Sequence, residues 1–416
     1  MPQREPFSAS SGPPPSTELC ITLLDQVDAG IYSRLTRFSK FEGLFFQVAS
    51  ALDNLRILDF SRVLAGPFAT MMLADLGATV TKIERPGIGD ETRTWGPPYD
   101  DSGESTYFQS VNRNKDSLVL DLTDATDLDR VRKLALAADV VVENFRPGVM
   151  ARLGLGYDDL RADNPALVYC SITGFGSGPG AGLPGYDLLI QALGGLMSIT
   201  GQPDGDPQKV GVALVDVLTG LFASVGILAA LRHRDATGEG QLVEVDLLSS
   251  LLAALVNQGS AYTSGGVVPG RMGNEHPSIA PYELLPCAAG ELVLAVGNDR
   301  QFAALCEALG APELATDSRF TGNADRVRHR QDLRAALVER LATRSAEDWV
   351  SRLAEARVPA GVVNDVAGAF RLAASLGLNP VVRLPREDGT TVALTKNPIG
   401  LSATPPNYRS APPRPS

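Results

Sequence analysis

Three short segments of this sequence each place an arginine in a turn directly after a run of apolar, β-prone residues. They are Arg62-Val63-Leu64-Ala65-Gly66-Pro67, Arg85-Pro86-Gly87-Ile88-Gly89-Asp90 and Glu143-Asn144-Phe145-Arg146-Pro147-Gly148. A guanidinium presents a planar fork of donors that matches two phosphate oxygens at once, and a fixed turn holds that fork in place. Three such turns at one sheet edge point to a phosphate-bearing ligand, with Arg113 and Lys115 available to add charge. Taken singly, each arginine is as readily a solvated surface charge; their joint placement favours a site. A fourth segment, Thr200-Gly201-Gln202-Pro203-Asp204-Gly205, sets a carboxylate in a turn whose glycines leave room for an approaching ligand. Pro-Asp-Gly is also a favoured turn in its own right, so local sequence leaves a reactive carboxylate and a plain turn both open.

The elements that must carry these turns are legible from periodicity. Leu55 to Phe60 reads as a buried strand, Phe68 to Leu76 as a helix capped by Gly77, and Thr79 to Glu84 as a second strand. That is a βαβ unit, whose strands lie parallel. Strands at Ser117 to Leu122, Val140 to Val142, Leu167 to Ile172 and Gln241 to Leu247, with a helix at Ala125 to Ala137, continue the alternation. The expected fold is α/β, a doubly wound, mostly parallel, Rossmann-like large domain. In such sheets ligands lie beyond the carboxyl ends of the strands, where all three arginine turns fall. The expected organisation is an N-terminal extension of poor order over 1–52, a large domain over 53–260, and a smaller α+β domain over 261–345. A return segment over 346–404 then completes the large domain, and 405–416 is a Pro-rich tail.

Composition removes several classes of function. A formal net charge of −11 and a pI near 4.9 argue against general affinity for nucleic acid or anionic membrane. Four scattered cysteines without CxxC spacing suggest a reducing cytoplasm rather than a disulfide framework. Three histidines without metal-ligand spacing make a His-based metal site improbable, and the Walker pattern is absent. The longest apolar run, Leu218 to Leu231, is broken by Thr219, Gly220, Ser224 and Gly226 and is shorter than a bilayer span of about 20 residues. It reads as a buried helix.

The ordered motifs LDFSRVLAGP (Leu58 to Pro67), KIERPGIGD (Lys82 to Asp90), NRNK (Asn112 to Lys115), VVENFRPG (Val141 to Gly148), GYDLLIQALGGLMSITG (Gly185 to Gly201) and RMGNEHPSIAPY (Arg271 to Tyr282) resemble the class III CoA-transferases. This family includes formyl-CoA transferase, carnitine CoA-transferase and the α-methylacyl-CoA racemases. The resemblance runs from about Leu55 to Leu401. It implies an interlocked homodimer and an acyl-CoA:carboxylate CoA-transferase that works through an aspartyl-CoA thioester, with coenzyme A as substrate and no permanently bound cofactor. It assigns Val63, Leu64, Ala65, Arg85, Asn144, Phe145, Arg146, Arg152 and Thr173 to CoA, with Thr173 standing where some members carry lysine. It makes Asp204 the nucleophile, sets Tyr186 where racemases carry histidine and brings His276 towards Asp204 through the partner. Gly205 leaves room for a thioester at Asp204, and Asp187 and Gln191, one turn apart on a helix face, either shape the substrate site or, for Asp187, cap the helix start. The short-acid members, those using succinyl-CoA among them, match best. The first alternative is racemase-type proton transfer, for which Asp216 matches the racemase aspartate while Tyr186 replaces its histidine. The second is a CoA-binding protein without catalysis.

Overall fold

Successive residues of the first strands point to opposite sides and both sets are apolar, so both faces of the sheet must be covered. In a computed structural model of the chain, which describes residues 50–414, the strands are β1 (Arg56–Asp59), β2 (Thr79–Glu84), β3 (Lys115–Val119), β4 (Val140–Glu143), β5 (Val168–Thr173) and β6 (Leu242–Asp246). They form one sheet of order β3-β2-β1-β4-β5-β6, every pairing parallel. The principal helices of this part are α1 (Ala65–Asp75), α2 (Ala125–Ala137), α3 (Asp187–Leu193) and α4 (Leu214–Thr237). Ile57, Val140, Val142 and Cys170 pack one way, against α1 and α4; Leu58, Val141 and Tyr169 pack the other way, against α2. The doubly wound domain is as expected. Its strand order reverses between β1 and β4, which opens a crevice at their carboxyl ends.

The smaller domain holds the antiparallel strands β7 (Tyr282–Pro286), β8 (Glu291–Ala295) and β9 (Ala360–Val362). Its helices α5 (Asp299–Ala308), α6 (Arg330–Leu341) and α7 (Ala346–Glu355) bury Phe302, Leu333, Leu337, Trp349 and Leu353 in a separate core. This core takes in residues beyond 345. Val358 to Asn364 does not return to the large domain as a unit: β9 pairs with β8, and Val358 is buried beside Leu353. A three-residue strand is too short to show an alternation, so its partner was not readable. After it come α8 (Val366–Ser375) and the hairpin β10 (Val381–Pro385) and β11 (Thr391–Thr395).

The Pro-rich tail is built into the large domain. The Asn407 N–H donates to the Asp75 carbonyl at 2.7 Å, and Asn114 Oδ1 accepts the N–H groups of Arg409 and Ser410 at 2.6 and 3.1 Å. Arg409 donates to the Gly77 and Ala78 carbonyls. The extension over 1–52 lies outside the described residues except for its last three. Helix α4 departs from the expectation of a buried helix: its 24 residues are apolar enough to pass for a membrane span, and only one side is covered. Leu221, Phe222, Val225 and Leu228 lie exposed on it.

Candidate active site

The turn after β1 is bent at Val63, which takes φ +68°, a conformation costly for a β-branched residue unless its surroundings impose it. They do so from two sides. Asn144, in the turn after β4, accepts the Arg62 N–H on Oδ1 at 2.9 Å and donates Nδ2 to the Arg62 carbonyl at 2.7 Å. Asp90, in the turn after β2, accepts the Val63 N–H at 3.4 Å. Beneath them Lys82 Nζ, fully buried, donates to the Ser61 carbonyl at 2.7 Å and lies 2.9 Å from Asp90 Oδ2. Lys82, beside the carboxylates of Asp90 and Asp59, holds its proton more firmly despite burial, and the Asp59 and Asp90 carboxyls sit below their usual range for the same reason.

The bend starts α1 with bare backbone donors. Leu64, the residue before α1, supplies no side-chain cap, and no acceptor for the N–H groups of Leu64, Ala65 and Gly66 is found among the described residues. These are the donors an oxyanion or phosphate needs.

Beside this turn a pocket of about 250 Å³ lies across the ends of β1 to β4, lined among others by Phe60, Arg62, Ile83, Arg85, Leu122 and Phe145. Arg62 sits 5.0 Å above the Phe145 ring and 3.4 Å from Glu91. A second, smaller recess shares Phe145 and adds Arg146 and Thr173. Of the residues assigned to CoA, Arg85, Phe145, Arg146 and Thr173 thus line open space. Arg152 is exposed, with Nη1 reaching back over Gly148. Asn144 does not reach outward, because its amide is occupied by the Arg62 backbone. Arg113 and Lys115 add no charge to the site: both are buried, Arg113 paired with Asp75 and Lys115 with Asp59. Leu120 to Thr123, which wall the first pocket after β3, carry no motif that marks them as lining it.

Asp204 lies exposed in its turn, and no hydrogen bond or ion pair to its carboxylate is found among the described residues. Gly205 closes the turn through its N–H to the Gln202 carbonyl at 3.1 Å. The turn packs against the linker into the small domain: the Gly273 N–H donates to the Gly201 carbonyl at 3.0 Å and Arg271 Nε to the Gln202 carbonyl at 3.2 Å. Tyr186 is exposed just ahead of α3. The His276 ring lies tilted against that of Tyr282, centroids 5.3 Å apart, and accepts the Ser278 N–H on Nδ1.

A second carboxylate stands at the start of α4. Asp216 stands in the first turn of α4, half-buried, and burial together with the neighbouring Asp187 carboxylate pushes its carboxyl up to about 7. Four residues along the same helix face, Gly220 lets α1 approach so closely that a Cβ there would meet the Ala65 carbonyl at 2.6 Å. Asp216 therefore lies beside the start of α1. Tyr107 faces the same space: burial and the Asp216 and Asp187 carboxylates push its phenol up to about 12. Asp187, one of the residues expected near substrate, and Gln191 are brought to this spot.

No cluster of three or more His, Cys, Asp or Glu able to hold a metal is found among the described residues. Residues 52–415 match the model of CoA-transferase family III. The chain is 43% identical over 369 residues to a succinate–glutarate CoA-transferase of Agrobacterium fabrum, covering 87% of this chain and 92% of that one. It is 45% identical to a succinyl-CoA:mesaconate CoA-transferase of Haloarcula hispanica over 77% of this chain and 82% of the relative. A CAIB/BAIF family protein of Brucella suis superposes with a TM-score of 0.78 at 42% identity, over 88% of this chain and 96% of that one. With a family model spanning all the elements that build the crevice, and relatives alike along most of their length, this chain belongs to CoA-transferase family III.

Proposed function

We propose that this enzyme moves coenzyme A between succinyl-CoA and a short carboxylic acid, with a dicarboxylate as the preferred acceptor class, and that the carboxylate it uses is Asp216 rather than Asp204. The observation that carries this choice is the setting of Asp216: half-buried beside Asp187, one helical turn before Gly220, which packs against the Ala65 carbonyl at the start of α1. Asp204 is a solvated carboxylate in a turn that braces the linker. Relatives named for succinyl-CoA with glutarate or mesaconate support the donor and acceptor classes.

In the proposed sequence an Asp216 oxygen attacks the thioester carbonyl, the C–S bond breaks, and CoA thiolate leaves a mixed anhydride behind. The thiolate then attacks the Asp216 acyl carbon, expelling the first acid and leaving an aspartyl-CoA thioester. The acceptor carboxylate attacks that thioester, and the released thiolate takes the acceptor's acyl group, which restores Asp216. Each tetrahedral oxyanion needs donors already in place, the role of the backbone N–H groups opening α1. The pocket under Arg62, Arg85 and Phe145 suits the nucleotide end of CoA. Asn144 acts through Arg62.

The homodimer belongs to the same proposal, supported by apolar faces left bare on α4 and on α8, where no residue is buried. A cytoplasmic setting fits the free thiols of Cys170, Cys287 and Cys306. Incubation with succinyl-CoA, then hydroxylamine or borohydride trapping and peptide mapping, is expected to mark the Asp216 peptide. Asp216→Asn is expected to abolish both adduct and turnover, and Asp204→Asn to leave turnover within about threefold. An adduct on the Asp204 peptide, surviving in Asp216→Asn, would overturn the assignment.

A further inference from the structure

The donors at the start of α4 are all taken, and not by the residue that usually takes them. The residue preceding the helix is Ala213, which has no side chain to cap with. The Leu214 N–H turns back to the Val212 carbonyl and the Val217 N–H to the Ala213 carbonyl. The two between them, Val215 and Asp216, donate to Asp187 Oδ1 of α3 at 2.8 and 3.3 Å. Asp187 is itself held in place. Its Oδ2 accepts Gln191 Nε2 at 2.6 Å, and the fully buried Gln191 accepts the Val210 N–H at 2.9 Å. We propose that Asp187 is a positioning residue for the transfer reaction: its carboxylate takes the free N–H groups at the start of α4 and so sets both the orientation and the charge environment of Asp216. The inference rests on Asp216 as the nucleophile.

The physical content lies in the charge. An aspartate in the first turn of a helix ordinarily gains from the helix dipole and from exposed N–H groups, which stabilise its anion and make it a poorer base. Here a second carboxylate takes those donors and adds a like charge, so Asp216 receives no such help. A more basic carboxylate is a better nucleophile towards a thioester carbonyl. Among the described residues, the elements packed against α4 offer no compensating cation. α1 carries Asp75 at its far end, paired with Arg113; β5 carries Tyr169 and Cys170, β6 carries Glu244 and Asp246, and the Leu247–Ala254 helix carries no charge. Tyr107 faces the pair from the Thr106–Ser110 helix.

Asparagine separates cap from charge, because its carbonyl can accept the same two N–H groups. Asp187→Asn leaves Gln191 facing an amide, which Gln191→Glu repairs: the carboxylate introduced there accepts from both the new amide and the Val210 N–H, and the charge moves one helical turn away. The test is the pH dependence of kcat/KM with succinyl-CoA for wild type, Asp187→Asn and Asp187→Asn/Gln191→Glu. Protonated Asp216 is inactive, so the rate climbs with pH through its titration. In Asp187→Asn the midpoint of that rise is expected to fall by about one pH unit and the plateau to fall by about threefold to tenfold, with the double variant between it and wild type. A uniform loss at every pH with the midpoint unmoved would overturn the proposal and leave Asp187 a plain cap. Turnover in Asp216→Asn would instead remove the reading beneath it.

Discussion

At the scale of single residues, the site keeps a carboxylate where the fold would rather have none. The folded-state acid of Asp216 is pushed up to about 7 from 3.8, chiefly by burial. The native state therefore holds more protons than the unfolded chain between those two values, so stability falls as pH rises through this window and the penalty is complete above about 7. Removing the charge should reverse it. Asp216→Asn is expected to raise the unfolding midpoint at pH 8 by about 2–6 °C and to change it little at pH 4, a shift of a few kcal/mol at most. Thermal unfolding of the two proteins at both pH values checks this. A stabilised but inactive variant is the pattern of a residue retained for chemistry rather than for folding.

At the scale of elements, the three arginine turns act as one device because side chains staple them together. Asn144 bonds both backbone groups of Arg62, and Lys82 and Asp90 hold Ser61 and Val63 from below. Asn144→Ala removes both bonds from a strained turn. It is expected to weaken CoA binding about tenfold or more, the equivalent of one to two net hydrogen bonds, which calorimetry with CoA would read. Arg62→Lys keeps the charge but loses the planar group over Phe145 and is expected to weaken CoA by a smaller factor. The contact of α1 with α4 is just as exacting. Gly220→Ala would drive a methyl into the Ala65 carbonyl, and it is expected to displace the opening of α1 and cut turnover by about a hundredfold, more than it alters CoA binding.

At the scale of the whole molecule, the proposed dimer and the tail are the features to test. Apolar residues as exposed as Val225, at 64%, and Val366, at 76%, cluster on α4 and α8, and patches of that kind mark association surfaces. Light scattering is expected to give about twice the 43.9 kDa chain mass. A Val225→Asp substitution is expected to shift the species towards the monomer and cost activity. The tail bonds to Asp75, Gly77, Ala78 and Asn114, and the Pro413 carbonyl accepts Arg93 Nη1, while Nε and Nη2 of the same guanidinium grip Glu84. Truncation after residue 404 is expected to lower the unfolding midpoint by about 5 °C or more, read by calorimetry.

The sheet and its ligand-binding edge could be read from the order of residues without a structure. Alternating apolar strands and amphipathic helices dictate a parallel sheet covered on both faces, and a parallel sheet presents its turns at one edge, so the arginine turns and their family were legible from residues in a row. Which carboxylate the proposed reaction uses was not. Asp204 and Asp216 are twelve residues apart and equally plain as letters. Burial, the approach of α1 across Gly220 and the second carboxylate of Asp187 come from three separate segments that meet only when the helices pack. The same reason hid the buried pairing of Arg113 and Lys115 and the partner of β9. Charge is a property of a residue, but solvation and neighbours belong to a place in the fold, and they decide which acid can react.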